Sequence, residues 1–348
     1  MSEMIRLERF REEVPRPDSD ALRGQEERLL SAIAAEAPLP EGNGRPRRRF
    51  AVHLRVGLAA GLAAAALTAG GVVFLLDAEQ KPAAVIHTMP MNAEKTLTRA
   101  AEKADEFPEL RPRPGQYLVF ESQTMEPVEA NDADGHHRYL VRGRSKVWMP
   151  FEGDSTHGFS EGVTLKPRPY PGWPIPPGAW EGVGVRTGPE KAADFDQRAE
   201  YLRTDYAYVS RLPTDPAKMY QHLYTGLKPG PEADLEAWNR VGGLLAGAYL
   251  PAAQRAALFR AAAAIPGVVG VGKAVDAAGR TGIAAARVDP WLGVREEYIF
   301  DSKTYGFLGN RRTVVDARLA EAPVGSVLTS NALVKVSLVD RAPVVKGD

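Results

Sequence analysis

The sequence predicts an α+β domain, an antiparallel sheet packed on helices, preceded by one transmembrane helix and a short helical cytoplasmic arm. Three observations predict it. Residues 56–76 form a single apolar run without a charge. At about 1.5 Å per helical residue that run reaches roughly the 30 Å of a bilayer's hydrocarbon core. From Val268 onward the hydrophobic period is two, over five closely spaced segments, the pattern of an antiparallel meander. Three segments with helical spacing stand immediately before them.

The arm, residues 1–44, divides at Pro15-Arg16-Pro17. Before that point Ile5, Leu7 and Phe10 are interspersed with charge and predict a short helix of low intrinsic stability. After it Asp18 or Ser19 caps a second helix. There Leu22, Leu29, Leu30 and Ile33 fall on one face of a 3.6-residue period. Two such helices are too short to bury a core alone, so that face either docks on a partner or belongs to a solvated arm. Pro38, Pro40, Gly42, Gly44 and Pro46 break the helix.

The basic flank, residues 45–55, holds Arg45, Arg47, Arg48, Arg49 and Arg55. By the positive-inside rule the N-terminal side stays in the cytoplasm, and the domain from residue 77 to residue 348 lies outside it. Arg47-Arg48-Arg49-Phe50 also matches the core of a twin-arginine export signal, but Ala51 and Val52 do not continue that motif. Asp77, Ala78 and Glu79 offer no small-x-small cleavage site. Within the span, Gly57, Gly61, Ala65 and Ala69 recur every four residues, a small-residue stripe through which two spans approach closely.

In the exported part, residues 84–86 predict a first strand and 92–104 a helix. Residues 116–125 and 138–149 predict two longer strands. Residues 166–180 hold six prolines among Tyr170, Trp173 and Trp180 and predict a loop, because proline removes ladder donors. With Trp148, these aromatics either line or lid a groove or pack the loop onto the body. Asp215-Pro216 is a cap followed by proline at the first helical position and opens the helix through Tyr224. Helices over 232–248 and 251–265 follow. Strands are then expected over 268–275, 281–288, 294–300, 305–315 and 327–339, joined by short turns beginning at Asp276, Asp289 and Asp301.

Composition excludes several classes of function. Lys plus Arg and Asp plus Glu both number 44, so no bulk charge points to nucleic acid. The chain has no cysteine, which removes disulfides, thiolate metal sites and thiol nucleophiles. Gly267 to Lys273 fits the spacing of a phosphate loop, but Ala274 stands where a magnesium-binding hydroxyl belongs, and the predicted order is helix then strand. His136 and His137 are adjacent on a strand edge and point to opposite faces. No sequence-local nucleophile and base occur together. No metal and no cofactor are expected.

Leu212-Pro-Thr-Asp-Pro216, Pro266-Gly267-Val268, Asp276-Ala-Ala-Gly-Arg280, Ile299-Phe-Asp-Ser-Lys-Thr-Tyr305 and Leu308-Gly309 occur in that order. They resemble an uncharacterised actinobacterial family of single-pass membrane proteins, with a short arm, one span and an exported domain. Members of that family are often identified as sigma-factor partners. The resemblance therefore implies an anti-sigma-like regulator with a cytoplasmic partner such as a sigma factor. At fold level, strand–Asp-x-x-T–strand resembles a turn of the lipoprotein-carrier fold and of periplasmic regulators of anti-sigma factors. That implies a curved sheet, a half-barrel, around helices, with an apolar groove for a lipid or lipoprotein. Ser302 departs from the proline usual in that turn. The chain also lacks the His-x-x-x-Cys-x-x-Cys zinc pattern of one anti-sigma class. The expected function is a non-enzymatic envelope sensor or regulator in the cell membrane with a ligand-holding exported domain. The alternative is a membrane-tethered lipid or lipoprotein carrier with an inert arm.

Overall fold

The computed structural model describes residues 93–132, 135–153, 157–192 and 199–345. All of them belong to one of the two compact units into which the chain divides, Gly57–Asp348. The arm, the apolar run 56–76, its small-residue stripe and the expected strand 84–86 lie outside the described residues.

Helix α1 spans Ala93–Glu102 and buries Leu97, Ala100 and Ala101. Strands β1 (Tyr117–Asp132), β2 (Gly135–Pro150), β3 (Phe159–Pro169) and β4 (Arg186–Lys191) follow. A short helix, α2 (Tyr206–Val209), is capped by Asp205, whose carboxylate accepts from the Tyr208 amide. Helix α3 (Pro216–Leu223) starts as its sequence predicts: Asp215 accepts from the Lys218 amide at 2.9 Å, and Pro216 occupies the first turn. Helices α4 (Pro231–Gly247) and α5 (Ala252–Ala263) complete the helical part. The chain ends in β5 (Val269–Val275), β6 (Thr281–Asp289), β7 (Val294–Phe300), β8 (Phe307–Val314) and β9 (Val327–Val339).

The nine strands form one antiparallel sheet in the order β4-β3-β2-β1-β9-β8-β7-β6-β5. Its centre is where β1 pairs β9, Tyr117 opposite Val339, so early and late strands hold each other. The expected half-barrel is corrected here to an open nine-stranded sheet. Its edge strands β4 and β5 have seven strands between them and do not pair. The expected transmembrane helix over residues 56–76 lies outside the described residues. Among the described residues no helix is long and apolar enough to cross a membrane.

The helices cover the β6–β7 end of one face. Trp238 of α4 stacks on Tyr298 of β7 at 4.4 Å between ring centroids, and the Tyr298 hydroxyl donates to the Trp238 carbonyl at 2.7 Å. Phe259 of α5 meets Phe300 edge-on. All four rings are buried and fill the space between α4, α5 and β7. On the same face Leu118, Phe120 and Met149 pack against Tyr206 and Tyr249.

The expected loop over 166–180 begins later than its prolines suggest. Lys166 to Pro169 continue β3, where β2 pairs Tyr139 with Pro169. The β4 ladder covers β3 only from Phe159 to Val163. Beyond it β3 is an edge, where a missing N–H costs no ladder bond.

Candidate functional site

The sequence-predicted residues fall into three places. Leu22, Leu29, Leu30, Ile33, Gly57, Gly61, Ala65 and Ala69 lie outside the described residues. Tyr170 and Trp173 come together in a cluster with Met125, Leu140 and Leu328. There the Tyr170 hydroxyl donates to the Ala320 carbonyl at 3.1 Å, and the Arg138 guanidinium lies over its ring. Trp173 meets His136 edge-on. Trp148 is buried near the opposite end of β2, opposite Val119 and Phe159, under the Lys146 ammonium. Trp180 is 46% exposed in a 3-10 turn, Pro177–Trp180. The four aromatics thus do not line one groove.

The strings behind the family resemblance are turn and cap chemistry. Asp276 accepts from the Ala278 and Arg280 amides and from the Arg280 guanidinium at 2.6 Å. That guanidinium goes on to donate to the carbonyls of Leu308 and Leu333. Asp301 accepts from the Lys303 and Thr304 amides, which hold its carboxyl below the ordinary value. These residues shape the fold and leave the chemistry to others.

A belt of buried charge crosses β7 and β8. Glu296 and Glu297 are adjacent on β7 and point to opposite faces; they are 5% and 0% exposed. Arg312 and Arg311 stand directly opposite them on β8. On the helix face Glu296 accepts from Arg312 at 2.5 Å and from Asn310 at 2.8 Å. Burial pushes the Glu296 carboxyl up, against the pull of Arg312. On the other face Glu297 accepts from Arg295 at 2.7 Å and from Arg311 at 2.8 Å. The β5–β6 hairpin leans over this second face. The Gln123 amide of β1 donates to the Ala277 carbonyl in its turn, and Arg311 donates to the Lys273 carbonyl.

Glu126 of β1 completes the belt on the helix face. Burial raises its carboxyl from 4.5 to about 7, with Arg312 and a hydrogen bond to Thr329 opposing and Glu296 adding to the rise. The side-chain carbonyls of Asn310 and Asn331, which face each other across β8 and β9, are buried without a partner among the described residues. Such groups cost about 1–3 kcal/mol each. Sequence reasoning missed this belt. Its signal was there: an acidic doublet inside one apolar strand and an arginine doublet inside the next.

A cavity of about 190 Å³ opens between α1, α5 and the β7–β8 turn. Its walls include Ala100, Ala104, Phe107, Phe259 and Phe307, with Arg255 and Tyr249 as its polar groups. Drug-sized ligands occupy about 300–1,000 Å³, so this space suits a short group and not a lipid chain. Among the described residues no cluster of three acidic or histidine side chains is placed to hold a metal.

Comparison with family models finds no match, and comparison with curated proteins finds none either. The resemblance to the single-pass family therefore gains no support from them. Among solved structures, the complex of MucA and MucB from Pseudomonas aeruginosa aligns with 13% identity and a TM-score of 0.24. The alignment covers 72% of this chain and 58% of that one, under two thirds of its length. A likeness so slight carries no argument about fold or function.

Proposed function

We propose that this protein is a non-enzymatic regulator of the cell membrane. Its C-terminal domain lies outside the cytoplasm, and its N-terminal arm docks a cytoplasmic regulatory protein such as a sigma factor. The placement rests on the basic flank and apolar run of the sequence, and the partner on the apolar face of the arm. The observation that favours binding over catalysis is the fate of the four most deeply buried carboxylates, Glu126 with its carboxyl raised to about 7 being the exception. Asp205, Asp276, Glu296 and Glu297 are each taken up by an arginine, at 2.8, 2.6, 2.5 and 2.7 Å. A carboxylate so neutralised is a poor general base. The filled space between α4, α5 and β7, with a remaining cavity of about 190 Å³, favours a regulator over a lipid carrier.

The test is co-purification of the full chain with its sigma-factor partner. Leu29→Asp with Ile33→Asp is expected to abolish it, because each change places a charge in an apolar contact. Equal recovery of the partner with both chains, or no sigma factor with either, would overturn the regulatory reading.

A further inference from the structure

Arg255 stands on the buried side of α5. It precedes Phe259 by four residues, so both share one helix face. Its guanidinium donates to the carbonyls of Ala104 and Leu250 and lies over the Phe107 ring. No carboxylate among the described residues is within ion-pair distance of it. Glu109, the nearest acid in charge terms, accepts instead from the Ala252 amide at 3.1 Å and sits 3.7 Å from Arg111. The arginines of the charge belt and of the turns all have their acids; on the protein side Arg255 has two carbonyls and the Tyr249 hydroxyl oxygen, and no acid. Its open side meets the 190 Å³ cavity, whose remaining walls are largely phenyl rings and alanines. Tyr249 lines the same cavity, and its oxygen accepts from the Leu110 amide at 2.7 Å, which leaves its proton to donate.

We propose that this cavity binds a carboxylate carried on a short apolar tail, either a free acid or the end of a peptide chain. The carboxylate accepts from Arg255 and from the Tyr249 hydroxyl, as charge-assisted hydrogen bonds. The tail lies among Phe107, Phe259 and Phe307. A half-buried guanidinium without an acid recovers through such a ligand part of what its burial costs, and a cavity of this size takes one ring or a few methylenes. The inference names a ligand class for the binding domain proposed above and rests on that reading of the domain, but it does not involve the arm.

The test is calorimetric titration of the full chain in lipid nanodiscs with 3-phenylpropanoate and with 3-phenylpropanamide. The acid is expected to bind at least about tenfold more tightly than the amide, the difference a charged hydrogen-bonding partner makes. Arg255→Met is expected to abolish that preference. Ala104→Leu, which fills the cavity and leaves Arg255 in place, is expected to exclude both compounds, and it carries the test if Arg255→Met fails to fold. Equal binding of acid and amide, acid binding that survives Ala104→Leu, or no binding of the acid to folded protein would each overturn the proposal. A second arm uses an acetylated tripeptide ending in Phe, with a free or an amidated C terminus. Binding of its free-acid form alongside 3-phenylpropanoate supports a chain end as the source, and binding of the small acid alone supports a free acid. Failure of these titrations with partner co-purification intact removes the ligand and leaves the regulator. Loss of the partner alone leaves the site standing.

Discussion

Glu297→Leu is expected to destabilise the domain by about 3–5 kcal/mol, because breaking a buried ion pair strands its partners. The carboxylate is fully buried, and the two arginines it serves, Arg295 and Arg311, have side chains only 14% exposed. Removing it leaves two guanidinium groups under the β5–β6 hairpin with no acid between them. Replacing all three together, Arg295→Met, Glu297→Leu and Arg311→Met, is expected to recover most of the loss, since apolar side chains of similar volume carry no desolvation penalty. Urea denaturation of the full chain measures both. A single Glu297→Leu change costing less than about 1 kcal/mol, the range of exposed ion pairs, would show that the belt is not buried as described.

The second large effect depends on pH and comes from Glu126. Its carboxyl is raised from 4.5 to about 7 by burial, so the folded state holds a proton that the unfolded chain releases. The sign follows from linkage: stability from this group is fully present below pH 4.5 and is lost as pH rises through about 7. The full shift corresponds to at most about 3 kcal/mol. Glu126→Gln, which mimics the protonated form, is expected to leave stability unchanged near pH 4 and to raise it by about 1–3 kcal/mol at pH 8. Denaturation of parent and variant at both pH values checks this. An equal difference at pH 4 and pH 8 would show that Glu126 does not titrate between them. The partners that set its charge are Arg312 on β8, Thr329 on β9 and Glu296 on β7, so the protonation of one side chain is felt across the centre of the sheet.

Legibility in the sequence tracked burial. The five late strands alternate apolar and polar residues and end at Asp turns, and β6, β7 and β9 start where that alternation starts. The cap of α3 was equally plain, since Asp215-Pro216 carries its own geometry. Strands β3 and β4 were not legible. Arg186–Lys191 has no apolar alternation, and Phe159–Pro169 mixes Gly, Glu, Lys and two prolines. They form because the long β2 offers a free ladder, and backbone pairing needs no hydrophobic pattern. The half-barrel was expected from the resemblance of one Asp-x-x-T turn to the lipoprotein-carrier fold, and one turn does not fix how far a sheet extends. The belt and the cavity were hidden for another reason. Glu296 is polar in a strand otherwise buried, and only the register that sets Arg312 opposite it shows that it is paired. Arg255 sits in an alanine-rich helix whose weak amphipathicity does not show which face is buried, though its four-residue spacing from Phe259 was a usable signal.

A regulator that crosses the membrane is tested most directly by its topology. Alkaline phosphatase fused after Glu79 is expected to be active, and the same enzyme fused after Pro40 inactive, because only the first reaches the oxidising side. The expectation rests on Arg45, Arg47, Arg48 and Arg49, the positive flank of the apolar run. Activity at Pro40 and none at Glu79 would contradict it, and so would a mature chain that begins near Glu79, which would mean the apolar run is cleaved.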